Sequence, residues 1–241
     1  ASAVRIDGRL DEGAWAAAPA ATDFLTQWPR DRAPAAQRTE VRVLVDGDAL
    51  YVGARMFDTR PDSIAAQLAR RDATGIYSDW LHVVIDSYHD RRTGFRFSIN
   101  PKGVQKDVRH FDDTREDLLW DAVWQSATHV DSLGWTAELR IPLGQLRYAA
   151  ADSTGRRTWG VQFGRDLARL QERSNWNPVP QNVNGFVSRF GDLEGLDALP
   201  PLRAVEVLPY VSSRLTRKPG APGDPFWRAN AVTPNVGADV R

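Results

Sequence analysis

Seven side chains, Tyr77, Trp80, His82, Arg96, Asn100, Gln162 and Trp176, have types that could together hold a sugar. Aromatic rings stack on the C–H faces of a pyranose, while guanidinium, amide and imidazole groups take up its hydroxyls. Other chemistries find less support. The four histidines, 82, 89, 110 and 129, show neither i,i+4 nor His-x-His spacing, so they nominate no metal set. Cysteine is absent, which removes disulfides, thiolate metal sites and a Cys nucleophile. No GxSxG elbow, P-loop, GxGxxG or HExxH motif occurs. Glycosidase-type carboxylate pairs are distant in sequence, and nothing singles out Glu138 or Asp86 for that role. The acidic run from Asp112 to Asp121 carries oxygens for a hard cation such as Ca²⁺. It lacks the alternating Asp-x-Asp-x-Asp-Gly spacing and reads as a solvated loop, so the metal set stays unassigned.

The element that must position these groups is the stretch from Asp79 to Asn100. Two β-rich runs flank a polar, Gly-ended loop, the signature of a hairpin. Alternation puts Leu81, Val83 and Ile85 on one face with Phe95, Phe97 and Ile99. The other face carries Trp80, His82 and Val84 beside Arg96, Ser98 and Asn100. That face reads either as a ligand-facing surface or as a mixed, solvated sheet face.

Around the hairpin, Thr39 to Asp46 alternates through three valines, and Leu50 to Phe57 returns after an Asp46-Gly47-Asp48 turn. Trp120 to Val130, Trp135 to Ile141 and Thr158 to Asp166 read as further strands, with Trp15, Trp135 and Trp159 in the core. Val4 to Gly8 reads as a short strand and Asp11 as the cap of a helical turn that buries Trp15. Residues 16 to 38 are rich in Ala, Pro and Arg and read as a long loop, as does Ser174 to Asn184. Pro61 to Arg71 is the one helix expected, with Ile64 and Leu68 at i,i+4. Many short strands with turn signals and little helix predict an all-β fold, an antiparallel β-sandwich of jelly-roll type.

The strand pattern closes at Leu193, so residues 1–197 are expected to fold as one domain that tolerates trimming from Leu199 onward. Residues 198–241 then form a linker and two strand-like segments without partners in this chain, the opening of a truncated β-barrel. At 42% apolar and 26% charged residues the composition is globular rather than disordered. Acidic and basic residues balance at 31 each, so no global field draws the chain to nucleic acid. All basic residues but Lys102, Lys106 and Lys218 are Arg. No signal peptide is visible, and the abrupt start at Ala1-Ser2-Ala3-Val4 suggests a processed or truncated chain. No apolar run approaches the ~20 residues of a membrane helix.

Ile6-Asp7-Gly8-Arg9-Leu10-Asp11-Glu12-Gly13-Ala14-Trp15 resembles the IDGxxDExxW opening of family 9 carbohydrate-binding modules. Val41 to Asp46 with Leu50-Tyr51-Val52, Asp79 to Asp86, Trp135 to Pro142, Trp159 to Phe163 and Phe190 to Leu193 resemble its later blocks, in order. The resemblance implies a non-catalytic β-sandwich that binds glycan ends, with structural Ca²⁺ in the family. Those modules clamp a terminal sugar between two tryptophans; here the corresponding positions are Ile76-Tyr77 and the neighbourhood of Asn184-Gly185. His82 stands where the family has a sugar-contacting Glu, and Arg96 and Asn100 keep their roles. Asn100 to Asp107 and Val205 to Tyr210 are similar to a bacterial family in which such a domain precedes an outer-membrane β-barrel. That implies a place in the bacterial envelope, periplasm or outer membrane, with the chain's own C-terminal barrel as partner. Two rival expectations are a structural or protein-interaction domain on that barrel, and a haem-binding electron-transfer sandwich using Met56 and a histidine.

Overall fold

The computed structural model describes residues 4–200, 207–217, 223 and 230–240. They fall into two units, Ala1–Leu202 and Arg203–Arg241.

The first unit is a sandwich of two antiparallel sheets. The smaller sheet takes β1 (Ala20–Ala21), β3 (Thr39–Val45), β4 (Ala49–Phe57), β9 (Gln125–Asp131) and β10 (Gly134–Pro142), in the order β1-β3-β4-β10-β9. The larger takes β2 (Leu25–Trp28), β5 (Trp80–Asp86), β6 (Gly94–Ile99), β7 (Gln105–Phe111), β8 (Arg115–Asp117), β11 (Trp159–Leu167) and β12 (Glu172–Asn175). Its order is β2-β12-β11-β5-β6-β7-β8, with β13 (Gly191–Leu193) paired to β11. The expected hairpin forms in register, Leu81 facing Ile99, Val83 facing Phe97 and Ile85 facing Phe95. Those six side chains meet Leu50, Met56, Trp135 and Leu139 of the smaller sheet in one buried core. Side chains alternate between the two faces of each sheet, so the inward faces of the paired strands supply this core.

Local propensity lost to tertiary contacts in three places. Pro61 to Arg71 is not a helix; only Pro61–Ser63 makes a 3₁₀ turn. The backbone carbonyls a helix would need are taken elsewhere: Ala65 O accepts Asp79 N at 2.8 Å and Ser78 Oγ at 3.0 Å, and Gln67 O accepts Asn100 Nδ2 at 2.7 Å. Among the described residues the α-helix is Gly13–Ala17, with Glu12 rather than Asp11 at its N-cap and Trp15 buried as expected. The 16–38 stretch contributes β1 and β2, edge strands ordered by pairing to β3 and β12 rather than by their own composition. Residues 120–124 run irregularly before β9, placing Trp120 and Trp124 against Phe97.

The first unit continues past 197. Leu199 is packed into the core, its carbonyl accepts Arg157 Nη1 at 2.8 Å, and Pro200 O accepts the Tyr148 hydroxyl at 2.8 Å. A chain ending at 202 should therefore melt like the full chain. One ending at 198 loses a buried Leu and leaves the buried Arg157 and Tyr148 donors short, and should melt roughly 10 °C lower. Equal melting of the two truncations would show that residues 199–202 are ornamental.

The second unit is a hairpin of β14 (Val207–Arg217) and β15 (Asn230–Val240), so the two segments expected to lack partners pair with each other. The register puts Val211 opposite Val236, Ser213 opposite Pro234 and Leu215 opposite Val232. On the alternate face Ser212 meets Asn235, Arg214 meets Thr233, and the Tyr210 ring covers Gly237.

Candidate functional site

The outward face of the larger sheet carries the polar side chains, and strand pairing arranges them in rows. One row runs Trp28, Arg173, Asp166, Trp80 across β2, β12, β11 and β5. The next runs Asn175, Gly164, His82, Ser98, and a third Gln162, Val84, Arg96. His110 on β7 lies opposite Glu116 on β8.

The second and third rows enclose a polar pocket of about 160 Å³, lined by Gln27, His82, Arg96, His110, Glu116, Gln162, Gly164, Arg173, Asn175 and Phe186. Gly164 makes its floor. A Cβ there would sit 3.1 Å from Asn175 Oδ1 and 3.6 Å from His82 Cβ, so a side chain at 164 would crowd the cavity's lining. Arg96 donates from Nη1 to Glu116 Oε1 at 2.9 Å. Arg96 Nε and both ring nitrogens of His110 find no partner within the protein.

Electrostatics keep the pocket's imidazoles neutral. Burial, aided by Arg96, pushes the His110 pKa down to about 4 against the opposing Glu116. Burial likewise lowers His82, although Asp166 pulls the other way. Burial alone would raise the Asp166 carboxyl, but His82 and two hydrogen bonds of 2.7 Å from Arg173 hold it well below the usual carboxylate range. The ionised Asp166 can only accept, so His82 donates from Nε2 at 3.1 Å and its Nδ1 accepts from Ser98 Oγ at 2.8 Å. This line of Ser, His and Asp has the members of a hydrolytic triad. Ser98 is fully buried beneath the ring, so the line fixes the imidazole rather than presenting a nucleophile.

Beside the pocket lies a cleft of about 400 Å³ lined by Trp28, Tyr77, Trp80, Asp166, Gln171 and Arg173, among others. The Trp80 and His82 rings stack at 13°, with centroids 6.4 Å apart. Of the seven residues expected at a site, His82, Arg96 and Gln162 line the pocket, and Tyr77 and Trp80 line the cleft. The other two lie elsewhere. Asn100 is fully buried and ties the 100–104 turn, its Oδ1 accepting Lys102 N and Val104 N. Trp176 packs on Phe163 at 5.6 Å, on the core side of β11. Gln162 is itself largely engaged, since its amide exchanges hydrogen bonds with the Asn177 backbone. Gln27, Trp28 and Asn175 come from stretches read as loops, and Arg173 from residues given no reading between the strand ending at Asp166 and the loop beginning at Ser174. Glu138 and Asp86, the carboxylates without a nominated role, both accept backbone N–H groups.

The metal and haem expectations meet the structure differently. The acidic run disperses: Asp113 accepts Phe186 N and Ser188 N, Asp112 pairs with Arg92, and Asp117 with Arg109. Among the described residues the carboxylates that converge are Asp72, Asp107 and Asp121. Arg71 sits among them, 2.5 Å from Asp107, 2.9 Å from Asp121 and 3.4 Å from Asp72. A guanidinium already supplies the positive charge there, so these residues do not fit a Ca²⁺ ion. Met56 is buried in the core between the sheets, whereas His82 and His110 face the outer pocket, so they make no axial pair for haem.

The sequence matches the family described as "Carbohydrate family 9 binding domain-like" over residues 6–193. No curated protein sequence matches the chain. Among solved structures, a family 9 carbohydrate-binding module from Caldicellulosiruptor kristjanssonii in complex with cellotriose superposes with a TM-score of 0.57 at 16% identity, covering 84% of this chain and 96% of that one. The module in complex with glucose from the same organism gives the same TM-score and identity, covering 80% and 91%.

Proposed function

We propose, for a chain that belongs to the carbohydrate family 9 binding domain-like family, that the outer face of its larger sheet binds the end of a glycan without catalysing a reaction. The observation that carries this reading is the pocket over Gly164, lined by His82, Arg96, His110 and Gln162, where Arg96 Nε and both His110 ring nitrogens have no partner within the protein. Hydroxyl groups can both donate and accept, so they match a neutral imidazole and a guanidinium in one small space. The neighbouring aromatic rings suit the apolar faces of a sugar. The ligands of the two superposed modules, cellotriose and glucose, make β-glucans the first compounds to try.

The test is a glycan array followed by calorimetry with glucose and cellotriose, in Ca²⁺ and in EDTA. The parent should bind, and Gly164→Val should still fold, though melting below the parent because it presses on Asn175, and lose binding altogether. Unchanged affinity in that variant would move the site elsewhere. An array without a single hit would leave a protein-interaction domain as the better reading.

The envelope location belongs to the same proposal. Its support is the β14–β15 hairpin, whose strands of 11 residues each alternate between an apolar and a polar face. Transmembrane barrel strands have that length and that alternation.

A further inference from the structure

We infer that Trp28 is the platform of a second sugar subsite, so that the bound glycan spans at least two rings, one in the polar pocket and the next in the aromatic cleft. This rests on the carbohydrate reading above and extends it to a residue outside the polar pocket. The polar pocket, at about 160 Å³, is small for a ligand site, whereas the cleft beside it has about 400 Å³. Arg173 lines both, so a chain leaving the pocket enters the cleft.

The cleft has the chemistry of a sugar platform. Trp28 is 52% exposed and Tyr77 62% exposed, while Trp80 is 9% exposed at the far end of the row from Trp28. Between the two tryptophans lies the Arg173–Asp166 ion pair, whose mutual bonds leave Arg173 Nη1 unused. Apolar ring faces alternating with a planar cation match a pyranose, which offers C–H faces and hydroxyl edges.

The backbone that carries Trp28 is also firmly held. It pairs with Arg173 at the end of β2, and Gln181 Nε2 donates to the carbonyl of Gln27 beside it. Thr26 staples the following loop, its N–H donating to Ala33 O at 2.7 Å and its carbonyl accepting Arg32 N at 2.7 Å. With the backbone already fixed, only the ring's own torsions remain to be ordered when a ligand arrives, which lowers the cost of binding.

The experiment measures affinity for glucose and for cellotriose in the parent, Trp28→Ala and Trp28→Tyr, with melting recorded for each. The second subsite predicts that Trp28→Ala melts like the parent, weakens cellotriose about tenfold and leaves glucose within about twofold. Trp28→Tyr should restore most of the cellotriose affinity, because it restores a ring. Parent-like cellotriose binding by Trp28→Ala overturns the inference while leaving the glycan site standing, as does an equal loss for both sugars. A parent that binds neither sugar overturns the inference together with the reading beneath it.

Discussion

Replacing Glu138 with alanine is expected to destabilise the first unit by about 3–5 kcal/mol and to free the chain before Ala18. Glu138 lies fully buried on β10, on the outward side of the smaller sheet. Its Oε2 accepts Asp7 N at 2.9 Å and Gly8 N at 2.8 Å, and its Oε1 accepts the Trp15 indole at 2.9 Å. Burial pushes its pKa up, and those three donors push back. Truncation removes the acceptor and strands the buried Gly8 N–H and Trp15 indole donors, each of which costs most of a desolvation penalty, together with the half-buried Asp7 N–H. The opposite β4 residue is Gly53, where any Cβ would meet the Trp15 ring at 2.9 Å. The N-terminal segment thus has one seat, built from a glycine and a carboxylate. Thermal melting of Glu138→Ala should fall by roughly 10 °C, and proteolysis should clip the chain near its start. Binding on the opposite sheet should survive below the new melting point. A melting change of only a degree or two would mean that water replaces the carboxylate at no cost.

Stability should also fall with acid between pH 6.5 and about 4, and His110 should be a principal cause. Its ring is buried, packed on Phe186 at 4.9 Å, and faces Arg96, Glu116 and His82. In the folded protein it takes a proton only near pH 4, while in the unfolded chain it does so near 6.5. Above 6.5 both states are neutral there and the contribution is complete. Below that, protons bind the unfolded chain first and draw the equilibrium toward it, until the folded ring also titrates. Across the whole window the linked loss amounts to about 3 kcal/mol. His82 shifts in the same direction, and several buried carboxyls, Asp79 and Asp86 among them, shift the other way. The difference between parent and His110→Phe isolates the ring, since the other groups remain in both. Denaturant melts at pH 7 and pH 4.5 should show the parent losing about 2 kcal/mol more than the variant. Parallel losses would assign the acid sensitivity to other groups. His110→Phe should also weaken glycan binding at pH 7, because it removes two hydrogen-bonding atoms from the pocket.

Much of the architecture can be read from alternation and turn residues alone. The pairing of Leu81, Val83 and Ile85 with the Phe95 to Ile99 strand follows from a period of two and a short loop, which are local properties. So does the burial of Trp135 and Trp159. Period also assigns faces correctly, which is why Trp80, His82 and Arg96 do share the outward side of the hairpin. Face is not address, however. Asn100 lies on that hairpin and yet closes a turn, because the backbone of residues 100–104 needed an acceptor more than the surface needed an amide. Trp176 follows β12 and turns inward onto Phe163.

Non-local pairing decided the remainder. The rows that build the pocket and cleft join β2 to β12 and β12 to β11, and no local pattern says which strand lies beside which. Trp28 becomes an aromatic platform only because β2 docks at that edge. The two motif blocks around Trp15 and Glu138 are legible separately, but their meeting through one carboxylate is a property of the packed sandwich. Pro61 to Arg71 has helix-forming residues, and its carbonyls went to Asn100, Ser78 and Asp79 instead. The period of a strand is set by its own backbone, whereas neighbours are set by whichever distant segments bury the most surface and satisfy the most donors.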